Sequence, residues 1–156
     1  VNVLGVTVSK EQIELGQKMC QGLDVELRLQ DYRDVTGQFD RIVSLGMFEH
    51  VGTKNYKTYM QQVNRLLTDD GLFLLHTIGT NTPKTSVDPW TDKYIFPGGM
   101  LPTIKQISAA SEDLFMMLDL HNFGVDYDHT LLAWMANVDA CKTTLQEAGY
   151  DENFYR

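Results

Sequence analysis

A carboxylate and an imidazole, Glu49 and His50, follow directly on the run Phe39-Asp40-Arg41-Ile42-Val43-Ser44-Leu45, and Gly46 and Gly52 flank them. The run is apolar and partly β-branched at Ile42, Val43 and Leu45, which suits a buried strand. In open α/β sheets, ligands settle at the carboxyl edge of the strands, where the loops diverge into a crevice. An acid and a base emerging there could move a proton. The alternative is that both residues cap or solvate the turn into the next helix. A second imidazole, His76, lies within the apolar stretch Leu72-Phe73-Leu74-Leu75-His76-Thr77-Ile78-Gly79. It is either a satisfied core histidine or another polar group at the same sheet edge. Tyr127 places a phenol before the last helical pattern, and it could equally just close the start of that helix.

The elements that must position these groups alternate along the chain. Val1 to Val8 reads as a strand. Ser9 with Gln12 is a capping-box pair, and the helix it opens runs to about Gln21, with Gly22 as its stop. Val25 to Gln30 alternates apolar and polar residues as a half-buried strand does. Phe39 to Leu45 is the next strand. Tyr56, Tyr59, Met60, Val63, Leu66 and Leu67 recur at helical spacing between Asn55 and Asp69-Asp70-Gly71. Leu72 to Gly79 has the unalternating look of a strand covered on both faces. Residues 80–100, with Pro83, Pro89, Pro97, Trp90, Tyr94 and Phe96, form a long connection of the kind that serves as a lid or binding loop. A helix is predicted from Pro102 to Ser111, a strand from Leu114 to Leu120, and a last helix around 128–148. Strands and helices alternating in this way predict a doubly wound, mostly parallel α/β sheet with right-handed crossovers.

Composition narrows the function. The chain has 156 residues, 13 Lys and Arg against 21 Asp and Glu, and a net charge of −8. No basic cluster stands out, which argues against a nucleic-acid groove. Cys20 and Cys141 form neither a metal motif nor a disulfide framework and suit a reducing compartment. No apolar run is long enough to span a bilayer. The chain enters a strand without an initiator Met and ends on a helical pattern, so it reads as a piece of a longer protein.

Seven segments then occur in one order: Gly5 to Gln12, Gln30 to Asp34, Phe39 to Gly52, Leu74 to Gly79, Val87 to Trp90, Lys93 to Gly99, and His121 to Asp128. Together they resemble the cyclopropane-fatty-acyl-phospholipid synthases, enzymes dependent on S-adenosylmethionine (SAM), and their mycolic acid relatives. The resemblance implies a class I methyltransferase sheet of Rossmann-like type. It covers the middle and later part of the catalytic domain, with the family's first and last strands and its glycine-rich loop outside this chain. Thr7, Ser9 and Gln12 then face the ribose and methionine portion of SAM, and Asp31 and Tyr32 the adenine. An aspartate can accept from an exocyclic amine and a tyrosine can stack on a base, a contact worth ~1–3 kcal/mol. Asp31 can also simply make an Asx turn.

In the same family Glu49, His76 and Tyr127, with the backbone at Ile78, surround a bound bicarbonate that acts as base; no metal is implied. Phe48, Trp90, Tyr94 and Phe123 could face a carbocation and exclude water. The implied reaction moves the SAM methyl group onto a cis double bond of a phospholipid acyl chain and closes a cyclopropane ring. The enzyme would be bacterial and cytoplasmic, peripheral at the inner membrane face, and a homodimer is one arrangement it allows. Two alternatives stand beside this reading. One is a related SAM-dependent lipid C-methyltransferase that stops at a methyl branch. The other is a non-catalytic, partner-seeking piece when the chain is isolated, too incomplete to bind SAM well.

Overall fold

A computed structural model describes residues 1–155. The chain divides into two compact units, one ending at Met116 and the other starting at Met117. In the first unit, strand β1 (Val3–Thr7), helix α1 (Lys10–Met19) and strand β2 (Val25–Leu29) make a parallel β-α-β unit. Ser9 caps α1 by accepting the Gln12 N–H. Leu27 of β2 fills the space between two glycines: a Cβ at Gly5 or at Gly16 would lie 2.6 Å from its methyl carbons. Gly16 thus lets α1 lie directly against Leu27 of β2, whose side chain would have to shift to admit a Cβ.

A short 3-10 turn, Tyr32–Asp34, leads to strand β3 (Phe39–Leu45), two further 3-10 turns (Phe48–His50 and Thr53–Asn55), helix α2 (Tyr56–Leu66) and strand β4 (Leu67–His76). Strands β3 and β4 pair in parallel from Arg41↔Leu72 to Leu45↔His76. Helix α3 (Pro89–Tyr94) and helix α4 (Ile104–Ser111) complete the unit. The core collects on α2: Phe48, Tyr56, Tyr59, Met60, Val63 and Ala110 are buried together, with Ile42, Phe73 and Leu75 packed against them from the sheet. The fold is thus α/β with parallel strands, as the sequence predicts, arranged as two parallel pairs with no ladder between β1 and β3.

Several elements depart from expectation. β4 is not covered on both faces: α2 and α4 share one side, and Val43 (61%), Leu45 (66%), Leu72 and Leu74 on the other are exposed. The helix-stop residues Asp69-Asp70-Gly71 fall inside β4, because the ladder jumps from Phe39↔Leu67 to Arg41↔Leu72 and residues 68–71 bulge out between. Asn55 does not cap α2 with its side chain; its Nδ2 donates to the Val51 carbonyl instead. Helix α4 starts at Ile104 rather than Pro102, and Thr103 caps it through a reciprocal capping box with Gln106.

Leu114 to Leu120 forms no strand. The N–H groups of Leu114 and Phe115 both donate back to Ser111 O at the end of α4, and Asp113 turns the chain with φ +64°. Apolar residues make a strand only where another strand completes the ladder, and none of the described strands pairs here. In the second unit the single expected helix is two, α5 (Tyr127–Ala140) and α6 (Lys142–Glu147), broken at Cys141. No helix among the described residues is long and apolar enough to cross a membrane.

Candidate functional site

Glu49 sits in the 3-10 turn four residues beyond β3 and is 6% exposed. Burying a carboxylate is costly unless its lone pairs are satisfied. Oε1 accepts the Ile78 N–H at 2.7 Å. Oε2 has no partner, and the only other buried side-chain polar atom without one among the described residues is Ser44 Oγ. No cation pairs with Glu49 among the described residues. The carboxylate thus keeps one buried oxygen with no hydrogen-bond partner among the described residues.

The turn is fixed from below. Phe48 is fully buried, stacks on Tyr56 at 4.2 Å between ring centroids, and meets Tyr59 edge-on at 5.1 Å. Burial pushes the Tyr59 phenol up to about 12, and burial followed by the Glu49 charge raises that of Tyr56. Gly46 donates to the His76 carbonyl at 3.1 Å, so the turns after β3 and β4 leave the sheet side by side. His76 ends β4 with its side chain on the exposed face, two residues before the Ile78 N–H that Glu49 takes. No hydrogen bond joins His76 to Glu49 among the described residues. Tyr127 belongs to the second unit, where it opens α5 half-exposed and its ring meets Trp134 edge-on at 6.1 Å.

The other candidates gather at the carboxyl ends of β1 and β2. Thr7 Oγ1 donates to Gln12 Oε1 at 2.6 Å and accepts the Ser9 N–H at 3.2 Å, so Thr7, Ser9 and Gln12 form one network. Gln30 donates its N–H to the Thr7 carbonyl, which brings Asp31 and Tyr32 to the same edge. Asp31 accepts from the Arg33 N–H, as in the Asx-turn reading, and also from the Arg33 guanidinium at 2.6 and 2.9 Å. These bonds hold its carboxyl down to about 2. Tyr32 is part-buried, edge-on to Tyr59 at 5.3 Å.

Arg33 and Met100 are participants that motif reasoning missed. The Arg33 pairing is open to detection from the two-residue spacing to Asp31. The Met100 N–H donates to the Glu49 carbonyl at 2.8 Å, and 51 positions apart neither residue signals the other.

The family described as mycolic acid cyclopropane synthetase matches residues 1–156. The chain belongs to that family. A cyclopropane-fatty-acyl-phospholipid synthase of Escherichia coli K12 is 54% identical over the whole chain, which covers 41% of that protein. A probable fatty acid methyltransferase of Pseudomonas putida is 36% identical over 149 residues, with 88% of this chain and 38% of that protein covered. The solved structure of mycolic acid cyclopropane synthase CmaA1 complexed with SAH and CTAB superposes with a TM-score of 0.85 at 30% identity, over 99% of this chain and 61% of that one. This member of the family thus spans about two fifths of the curated relatives it matches. The superposition bears out the expected Rossmann-like methyltransferase architecture, and the relatives named are methyltransferases and cyclopropane synthases.

Proposed function

We propose that the protein carrying this chain is a cyclopropane-fatty-acyl-phospholipid synthase that uses SAM and a bicarbonate-like anion. It would act on unsaturated phospholipid in the membrane from the cytoplasmic side. The observation that carries the chemical part is the buried, unpartnered Oε2 of Glu49. A carboxylate left with one free oxygen in an apolar wall fits a small oxyacid whose O–H it can accept.

Bound together, SAM would supply an electrophilic methyl group and the anion a proton acceptor. The chain's own residues have the following parts. Glu49 orients the anion through Oε2 and is itself held by the Ile78 N–H through Oε1. Ile78 thus supports the site through Glu49, and its N–H serves an anion directly only if shared. His76 can add a donor that offsets the repulsion between two anions. Phe48 keeps water from the rear of Glu49, where a proton must move without competition. Thr7, Ser9 and Gln12 present hydroxyl and amide groups toward a ribose. Asp31 keeps lone pairs on Oδ2 for an amine even while paired with Arg33, since a carboxylate has about four acceptor sites.

Expression of the full-length gene in cells with unsaturated phospholipids, followed by lipid mass spectrometry, tests the reading. Addition of one CH2 unit per modified chain, with the double bond lost and resistance to hydrogenation, is expected. A methyl-branched product would assign the protein to the fatty acid methyltransferases instead. An unchanged acyl profile beside an active control enzyme would refute both.

A further inference from the structure

We propose that Glu49 is a positioning residue for the loop 79–99 as well as a ligand, because it fastens both roots of that loop. At the first root the carboxylate Oε1 takes the Ile78 N–H at 2.7 Å. At the second root the Glu49 peptide carbonyl takes the Met100 N–H at 2.8 Å. The two roots also meet each other: Thr80 donates to the Pro102 carbonyl at 2.9 Å. Tyr56 adds a longer bond, from its hydroxyl to the Met100 carbonyl at 3.4 Å. The neighbouring His50 ring rests edge-on against Phe96 at 6.1 Å.

Between its roots the second half of the loop is bonded to itself. Asp88 Oδ1 caps α3 by accepting the N–H groups of Trp90 and Thr91. Asp92 Oδ1 accepts the Gly98 N–H at 2.8 Å, and Gly99 donates to the Phe96 carbonyl at 3.0 Å. Residues 88–99 are therefore a preformed piece that carries the exposed side chains of Trp90, Tyr94, Ile95 and Phe96. A piece organised inside and attached at its ends moves about those ends. The one buried acid at the sheet edge holds them. A change at its carboxylate is consequently felt at the first root, while the second keeps its main-chain bond. The proposal rests on these hydrogen bonds and not on the reaction, so the lid clamp and the anion role can fail separately.

Hydrogen–deuterium exchange of the full-length enzyme decides it, read peptide by peptide on wild type, Glu49→Ala, Glu49→Gln and Tyr56→Phe. Loss of a charge-assisted bond predicts exchange at least about tenfold faster at the first root, over residues 78–82, in Glu49→Ala, with α2 unchanged. Glu49→Gln keeps an acceptor oxygen and should return exchange to within about twofold of wild type. Tyr56→Phe should show a smaller acceleration confined to residues 96–101. Unchanged exchange over 78–82 in Glu49→Ala, or Glu49→Gln exchanging as fast as Glu49→Ala, overturns the proposal. If Glu49→Ala does not fold, Tyr56→Phe decides alone, and no acceleration there overturns it.

Discussion

Glu49 accepts the peptide N–H of Ile78 across 29 positions of sequence, which ties the turn after β3 to the chain leaving β4. The bond uses one carboxylate oxygen and leaves the other buried without a partner. The same side chain thus serves the fold and, under the proposed function, the chemistry as well. Substitutions at this position separate the two roles.

Glu49→Gln preserves the bond from Ile78 and removes the negative charge. Turnover should fall by about 10²–10⁴-fold, the range for loss of positioned proton-transfer chemistry. SAM affinity should stay near wild type, because the ribose and adenine candidates lie at β1 and β2. Steady-state kinetics with a parallel calorimetric titration of SAM check this. Weak SAM binding with normal saturated turnover would remove Glu49 from the reaction.

The Asp31–Arg33 pair should show its sign in acid. The folded carboxyl is held down to about 2, below the ordinary ~3.9 of an unfolded aspartate, so its contribution to stability is present above ~4 and is lost as pH falls toward 2. Arg33→Ala should return the Asp31 titration toward the ordinary value, as followed by carboxyl-carbon NMR. Both partners are at the surface, so the effect on melting at neutral pH should be small.

Phe48→Ala should destabilise the protein by about 3–5 kcal/mol, the usual cost of emptying a fully buried aromatic site. Chemical denaturation of the full-length enzyme measures it. The cost should include the stack on Tyr56 and the edge contact with Tyr59. A change below about 1 kcal/mol would mean that the site collapses around the gap.

Gly71→Ala should be poorly tolerated although Gly71 has an ordinary φ. A Cβ there would lie 2.4 Å from Leu67 Cγ and 2.9 Å from the Thr68 carbonyl oxygen, and the latter cannot move without its peptide. An overpacking loss of about 1–3 kcal/mol is expected by thermal or urea unfolding. Leu67→Ala alongside it should recover only the side-chain part.

What could be read from sequence follows the reach of each interaction. Ile42-Val43 and the helical spacing from Tyr56 to Leu66 are local signals, and β3 and α2 stand where those signals put them. Ser9 with Gln12 is a cap at three-residue range, and the structure contains its Ser9 half, while the Gln12 side chain bonds Thr7 instead of closing the box. Leu114 to Leu120 has an equally apolar sequence, yet a strand requires a partner, and that requirement is not local. The same holds at the site. Glu49 stands out by its place after a strand, whereas its bonds to Ile78 and Met100 exist only once two distant turns have met. Asn55 misleads for another reason: its amide prefers the Val51 carbonyl four residues back.

The direct passage of α2 into β4 has a consequence for how such a chain can change over time. Leu66 ends the helix, Leu67 begins the strand, and residues 68–71 fold over Leu67 with no room for a side chain at Gly71. A length change there that shifted the pairing with β3 by one residue would rotate every inward side chain of β4 onto the opposite face. The stretch from 79 to 99 is fastened at its roots and where Phe96 meets His50, and between residues 81 and 87 it can lengthen or shorten without disturbing the sheet. Lineages of this domain should therefore accumulate their length differences in that stretch, and diversify there while the junction of α2 and β4 stays fixed in length.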